Sequence, residues 1–235
     1  MRVAVIAASL AAGIRIATEV ERVPSVDVSI VCCNLEMRSP LIRWLRECGL
    51  ALKSFRWQTY ITKLWAYAHS GKLVILNQPL DDPTTVERLR ALQCDVGLHA
   101  ANVIYREATI AAFQLGILNA HIGILPGYRG RSVAQWSVLR GDPVGTTVFF
   151  IDGGIDTGSR IVLRAVIPSG ENTNVRALKT MLFDCDARLY RKALEALTSE
   201  GFAYEYNDIS HGKRYYVMSR ILNEVVDTIL GSRTS

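Results

Sequence analysis

Residues 72–100 read KLVILNQPLDDPTTVERLRALQCDVGLHA, and the order of the three parts decides the fold. KLVILNQ and DVGLHA are short apolar runs that read as buried strands. Between them, DDPTTVERLRALQC has helical spacing, with Asp82 standing before Pro83 at a first helical position. Strand, helix and strand in that order form a βαβ unit, which feeds a parallel sheet.

The same alternation extends upstream. RVAVIA and VSIVCC read as two further buried strands. SPLIRWLRECGL, with Ser39 as N-cap and Gly49 as stop, reads as a helix able to cover one sheet face. Met1 and Arg2 followed by VAVIAASLAA also look like a short signal peptide. A first strand, a small-residue turn and an amphipathic stretch to about Val20 account for the same residues, and this reading is preferred.

Downstream the order changes. After a helix expected near Glu107 to Leu115 come ILNAHIGI, the loop LPGYRGR, a helix SVAQWSVLRG, a strand TTVFFI, the loop DGGIDTG and a strand RIVLRAV. The last two strands suggest an antiparallel hairpin. From Asn174 to Glu200, Val175, Leu178, Leu182, Cys185, Leu189, Ala193 and Leu197 fit an amphipathic helix. FAYEY and KRYYVM are short candidate strands, and SRILNEVVDTILG a last helix. The expectation is α/β: a Rossmann-like, mostly parallel sheet with an appended antiparallel hairpin and a short C-terminal elaboration. Residues 1–173 would form the catalytic core and 174–235 the elaboration, readable together as one continuous domain.

Composition narrows the class. Five cysteines, Cys32, Cys33, Cys48, Cys94 and Cys185, lack C-x-x-C or zinc spacing, so neither a disulfide framework nor a metal site is expected. A reducing, cytoplasmic setting follows. No apolar stretch approaches the ~18 residues of a membrane span, so no membrane partner is expected. The net charge of +5 favours an anionic partner, but there is no Lys/Arg run or aromatic-interleaved basic stripe of the kind nucleic acid requires.

Asn119, His121 and Asp156 fall at strand ends or in adjoining loops, where open α/β sheets bind ligands. Residues i and i+2 of a strand share a face, which groups Asn119 with His121. Each also has a plain structural reading: N-x-H arises by chance, a strand-end histidine can be a packing residue, and Asp156 can form a turn among its glycines.

The stretch ILNAHIGILPGYRGRSVAQWSVLRGDPVGTTVFFIDGGIDTGSRIVLRA closely resembles the core of folate-dependent formyltransferases, a family acting on methionyl-tRNA, glycinamide ribonucleotide and nucleotide sugars. The family pattern N-x-H-x-x-x-L-P-x-x-x-G followed by D-x-G is met by Asn119, His121, Leu125, Pro126, Gly130, Asp156 and Gly158. The resemblance implies a 10-formyltetrahydrofolate donor, with Asn119 and His121 stabilising an oxyanion and Asp156 keeping His121 charged and shuttling protons. It also implies a pterin held by Asn102, Val103, Ile104 and Tyr105 and by Asp152, Gly153, Gly154 and Ile155. No metal is needed for this chemistry. The turn after the first strand, Ala7, Ala8, Ser9 and Leu10, departs from the Gly-rich or aromatic turn of many members.

The tail NDISHGKRYYVMSRILNEVV resembles the ending of nucleotide-sugar N-formyltransferases more than the added barrel of the tRNA enzymes. The expected acceptor is therefore a nucleotide-linked 4-amino-4,6-dideoxysugar, such as dTDP-4-amino-4,6-dideoxyglucose. Tyr128, Arg129 and Arg131 are candidates to hold it, with Trp57, Tyr60 and Lys63 further afield; Trp136 reads as helix packing. Other amines (methionyl-tRNA, glycinamide ribonucleotide, a hydroxylamine) and a non-catalytic folate-binding relative stay open, and a homodimer is compatible with the sequence.

Overall fold

In the computed structural model, which describes residues 1–33, 57–168 and 174–232, RVAVIA forms strand β1 (Arg2–Ala7), with Val3 through Ala7 sealed from solvent. The chain divides into two units, Met1–Leu118 and Asn119–Ser235.

In the first unit β1 leads into helix α1 (Leu10–Val20), capped by the Ser9 side chain, which accepts from the Ala12 N–H. Strand β2 (Asp27–Cys33) follows; after helix α2 (Trp57–His69) come strand β3 (Leu73–Leu76), helix α3 (Pro83–Ala91) and strand β4 (Val96–Ala100). Asp82 caps α3 as expected, accepting from the Thr84 and Thr85 amides ahead of Pro83. The proposed helix over Ser39 to Leu50 lies outside the described residues.

The strands lie parallel in the order β3, β2, β1, β4 and β5 (Gly116–His121). This order reverses between β1 and β4, and the Asn102–Tyr105 loop leaves β4 at that reversal, where doubly wound sheets place their ligands.

One element is shorter than its sequence pattern. The helix expected near Glu107 to Leu115 is a single turn, α4 (Glu107–Ile110). The chain then leaves the helix because Gln114 and Leu115 donate their amides to the Cys94 and Asp95 carbonyls, drawing it into the sheet. Sheet registry overrides local helix preference there.

The second unit begins with the Asn119–His121 end of β5. It continues through β6 (Tyr128–Gly130), α5 (Val133–Arg140), β7 (Gly145–Phe150), β8 (Arg160–Val166), α6 (Val175–Leu197), β9 (Glu205–Tyr206), β10 (Lys213–Tyr215) and α7 (Arg220–Ser232). Strands β7, β8 and β9 pair antiparallel, and β6 pairs with β10 in parallel. The sheet is thus mostly parallel with an antiparallel part, as the sequence order requires.

Ala134, Val138, Val144, Leu178, Leu182, Met218, Val226 and Leu230 form one buried cluster, so α5, α6 and α7 share a core. Asn174 caps α6 by accepting from the Ala177 amide. Cys32, Cys33 and Cys94 are buried and unbridged, and burial pushes the Cys33 and Cys94 thiols up to about 11, the state of inert packing residues.

Candidate active site

Asn119 and His121 lie on the end of β5 that runs beyond the last residue paired with β4, Leu118. The residue between them is fixed from behind: the buried Tyr190 hydroxyl on α6 accepts from the Ala120 amide at 2.9 Å. Asn119 is half-buried and shares the strand face of His121.

His121 is only 8% exposed, and both ring nitrogens face acceptors. Nε2 lies 2.8 Å from the Tyr128 carbonyl oxygen, and Nδ1 lies 3.3 Å from Asp156 Oδ1. The ring can donate to both only when both nitrogens carry protons. The Phe149 ring meets the imidazole edge-on, at 6.5 Å between centroids, and limits its tilt.

Asp156 sits in the left-handed region at φ 55°, unusual for a residue with a side chain. Strain of this kind, on the order of 1–3 kcal/mol, concentrates where function requires it. Oδ2 accepts from the Gly130 amide at 2.8 Å, leaving Oδ1 for His121. One carboxylate is thereby bound to a fixed amide and to the imidazole.

The turn from His121 to Gly130 is braced by residues that sequence reasoning missed. Thr147 Oγ1 on β7 donates to the Gly123 carbonyl at 2.7 Å and accepts from the Leu125 amide at 3.1 Å. Arg164 Nε on β8 donates to the Leu125 carbonyl at 2.6 Å, and the same guanidinium pairs with Glu205 on β9. Burial holds the Arg164 pKa below its ordinary value. An arginine among the apolar residues of RIVLRAV was the available signal; Thr147 and Tyr190 had none, since each fits an ordinary buried pattern. The Leu125–Pro126 peptide is cis.

The expected acceptor-binding residues divide. Tyr128 is buried, stacked on Tyr215 at 5.1 Å, and donates its hydroxyl to Asp142. Burial, then the Asp142 hydrogen bond, raise its pKa. Arg129 Nη2 donates to the Ile209 and Gly212 carbonyls. Arg131 is the exposed member of the three. Of the remoter candidates, Trp57, Tyr60 and Lys63 lie on α2, where Lys63 pairs with Glu21; the Trp136 indole donates to the Tyr216 carbonyl at 2.9 Å and packs against Tyr215.

The two segments expected to hold a pterin are loops with exposed apolar side chains. In the first unit, Ile104 is 83% exposed, whereas Tyr105 is buried with its hydroxyl 2.8 Å from His99 Nδ1. Asn102 is exposed and Val103 half-buried. In the second unit, Ile155 is 44% exposed. Asp152 shapes that loop by accepting from the Gly154 amide at 2.9 Å and the Thr157 hydroxyl at 2.6 Å. A Cβ at Gly153 would meet open space. Each of these isoleucines leaves apolar surface open to water.

Residues 61–194 match the family model described as formyl transferase. The methionyl-tRNA formyltransferase of Chloroflexus aggregans is 39% identical over 134 residues, covering 56% of this chain and 43% of that protein. The chain thus spans less than half the length of this curated relative. A glycinamide ribonucleotide transformylase from Symbiobacterium toebii superposes with a TM-score of 0.59 at 20% identity, over 88% of this chain and 94% of the other. The formyltransferase PseJ from Anoxybacillus kamchatkensis, solved with UDP-4,6-dideoxy-4-formamido-L-AltNAc and tetrahydrofolate, superposes over 100% of both chains, with a TM-score of 0.55 at 16% identity.

Proposed function

The chain belongs to the formyl transferase family, and on that premise we propose that it moves a formyl group from 10-formyltetrahydrofolate to a primary amine. The observation that carries the reading is the His121 ring, set between the Tyr128 carbonyl and the Asp156 carboxylate with Asn119 on the same strand face.

The donor supplies an activated formyl carbon; everything else is asked of the chain. Asn119 offers amide N–H groups to the formyl oxygen as it gains negative charge, a contribution of about 3–4 kcal/mol for a well-placed donor. His121 acts through Nδ1. Its Nε2 bond to Tyr128 is the shorter contact, so the 3.3 Å approach to Asp156 is the one that can be exchanged for a reacting group. Asp156 is the natural acceptor for the proton lost by the attacking amine, directly or through a water, and His121 can then deliver a proton to the folate nitrogen as its bond to the formyl carbon breaks and tetrahydrofolate leaves. In the unit that carries His121, the exposed Ile155 would lie against the pterin.

For the acceptor we favour a nucleotide-linked 4-amino-4,6-dideoxysugar. In support, the superposition on PseJ, whose ligand is a UDP-linked formamido sugar, runs the whole length of both chains, the segment beyond the family match included. Methionyl-tRNA is the second reading, favoured by the 39% identity to the C. aggregans enzyme. Incubating the purified protein with 10-formyltetrahydrofolate and each amine, scored by tetrahydrofolate release and by formyl mass gain, tests both. Folate binding without transfer to any acceptor would instead indicate a non-catalytic relative.

A further inference from the structure

Asn207 lies beyond the family-matched residues, just after β9, and is 1% exposed. Its Nδ2 donates to the Gly158 carbonyl at 3.0 Å and, at a longer 3.5 Å, to the Asp156 carbonyl. Its own amide donates to the Ser159 carbonyl at 2.9 Å. These contacts fix the main chain at and just after Asp156, which holds a left-handed φ of 55°. The Asp156 carboxylate itself accepts from the amide of Gly130, which is paired with Tyr215 of β10. The segment from Glu205 to Tyr215 thus touches both the main chain that carries Asp156 and the strand that supplies its amide partner.

The unpaired end of the Asn207 amide is informative. Oδ1 is buried without a hydrogen-bond partner, an arrangement that disfavours a polar side chain unless its other end is needed. The needed end is Nδ2, and what it binds is the carbonyl of the strained residue and that of Gly158, two positions further on. A conformation disfavoured by local sterics persists only where the surroundings over-determine it.

We propose that Asn207 is a positioning residue for the formyl transfer proposed above, holding the Asp156 backbone in the conformation that aims its carboxylate at His121. The kinetic part rests on that functional reading; the geometric part does not. Asn207 touches no reacting atom and acts through Asp156.

Two variants separate positioning from packing. Asn207→Leu keeps the branched outline of the side chain and removes the donor, and Asn207→Asp keeps the shape while turning a carboxylate toward two carbonyls. Each should lower kcat about 20- to 100-fold, because a displacement of order 1 Å at a catalytic group has effects of this size. The KM values for donor and acceptor should stay within about twofold. In an Asp156→Ala background the same substitutions should have no further effect on kcat, since the group they position is gone. Independently of any activity, amide exchange at Gly130 should quicken at least about tenfold in Asn207→Leu, while Ala120, bonded to Tyr190, keeps its protection. Unchanged Gly130 protection, losses that add to those of Asp156→Ala, or unfolding of both variants would each overturn the proposal. A wild-type protein that formylates no amine would sink the functional reading alone, and the exchange measurement would still decide Asn207.

Discussion

His121 Nε2 lies 2.8 Å from the Tyr128 carbonyl oxygen, and Gly123 stands against both: a Cβ there would come within 2.6 Å of that nitrogen and 2.7 Å of that oxygen. Real Cβ atoms do not approach other atoms so closely. The bond that sets the histidine's orientation therefore depends on a residue without a side chain, two positions along the chain from the imidazole. Gly123→Ala should lower kcat by about 100-fold by displacing the ring, while circular dichroism shows a folded protein with a lowered melting temperature. An alanine variant of normal turnover would mean that the His121–Tyr128 contact is dispensable for the reaction.

The three polar groups should separate by kinetic signature. His121→Asn and Asp156→Ala should each reduce turnover by about 10²- to 10⁴-fold with the fold intact, the range expected for proton-transfer groups. Asn119→Ala should lower kcat more than it weakens binding of a folate analogue, since a donor to developing charge acts on the transition state. Equal losses in rate and binding would make Asn119 a ligand contact instead.

Much of this arrangement was legible because it follows periods that a sequence displays. The runs that became β1, β2, β4, β7 and β8 are five to seven residues long and rich in apolar residues, and α3 announced itself through Asp82 and Pro83. Strands β6 and β10 were harder: three residues each carry no period, and their pairing joins chain positions far apart. KRYYVM could be noted as a short strand, but nothing in it named Tyr128 to Gly130 as its partner. Helix α2 was not read from the sequence, although Trp57, Ile61 and Trp65 stand at helical spacing; all three are exposed in the structure. Asn119, His121 and Asp156 were legible through spacing and resemblance. Tyr190 and Asn207 were not, because the contacts that place them are to backbone groups, which any sequence possesses; Arg164 showed only as a charge within an apolar run.

Tyr128 was read as a contact for the acceptor, and its hydroxyl is engaged with Asp142. That bond, first among the causes, holds the Asp142 carboxyl below the usual carboxylate range, with Arg140 adding to the effect. A depressed native pKa means that the folded state binds fewer protons than the unfolded chain. The resulting stability is present above the unfolded value of about 3.9 and is lost as pH falls through the native one. Tyr128→Phe should therefore flatten the acid limb: between pH 5 and pH 2 the urea midpoint of the wild type falls more steeply than that of the variant. Parallel limbs would show that the bond does not favour the ionised carboxylate.

At the far end of α6 the prediction is purely one of stability. Asn174→Ala removes the side chain that accepts from the Ala177 amide and should cost about 1 kcal/mol, the usual worth of an asparagine N-cap. Because Tyr190 lies some four turns along the same helix, the Ala120 contact should survive and kcat should be unchanged. A fall in kcat without a change in melting temperature would connect the helix start to the site in a way that these contacts do not.

The acceptor is where Arg131 becomes decisive. Tyr128 and Arg129 are committed to Asp142 and to the Ile209 and Gly212 carbonyls, which leaves Arg131 as the exposed cation of the LPGYRGR loop. A nucleotide sugar brings a diphosphate, which a guanidinium binds well and which takes no part in the bonds that change. Its contribution should therefore appear in KM: Arg131→Ala should raise KM for the nucleotide sugar by about 5- to 20-fold and leave kcat within about twofold. For the same reason the free aminosugar should be a far poorer substrate of the wild type in kcat/KM, and should be nearly indifferent to the Arg131 substitution. Charged initiator tRNA gives the opposite pattern if it is the true acceptor. A polyanion engages many cations at once, so removing one would weaken it modestly, and its KM would climb steeply with salt. Efficient formylation of methionyl-tRNA with such a salt dependence would overturn the sugar assignment and leave the His121–Asp156 chemistry standing.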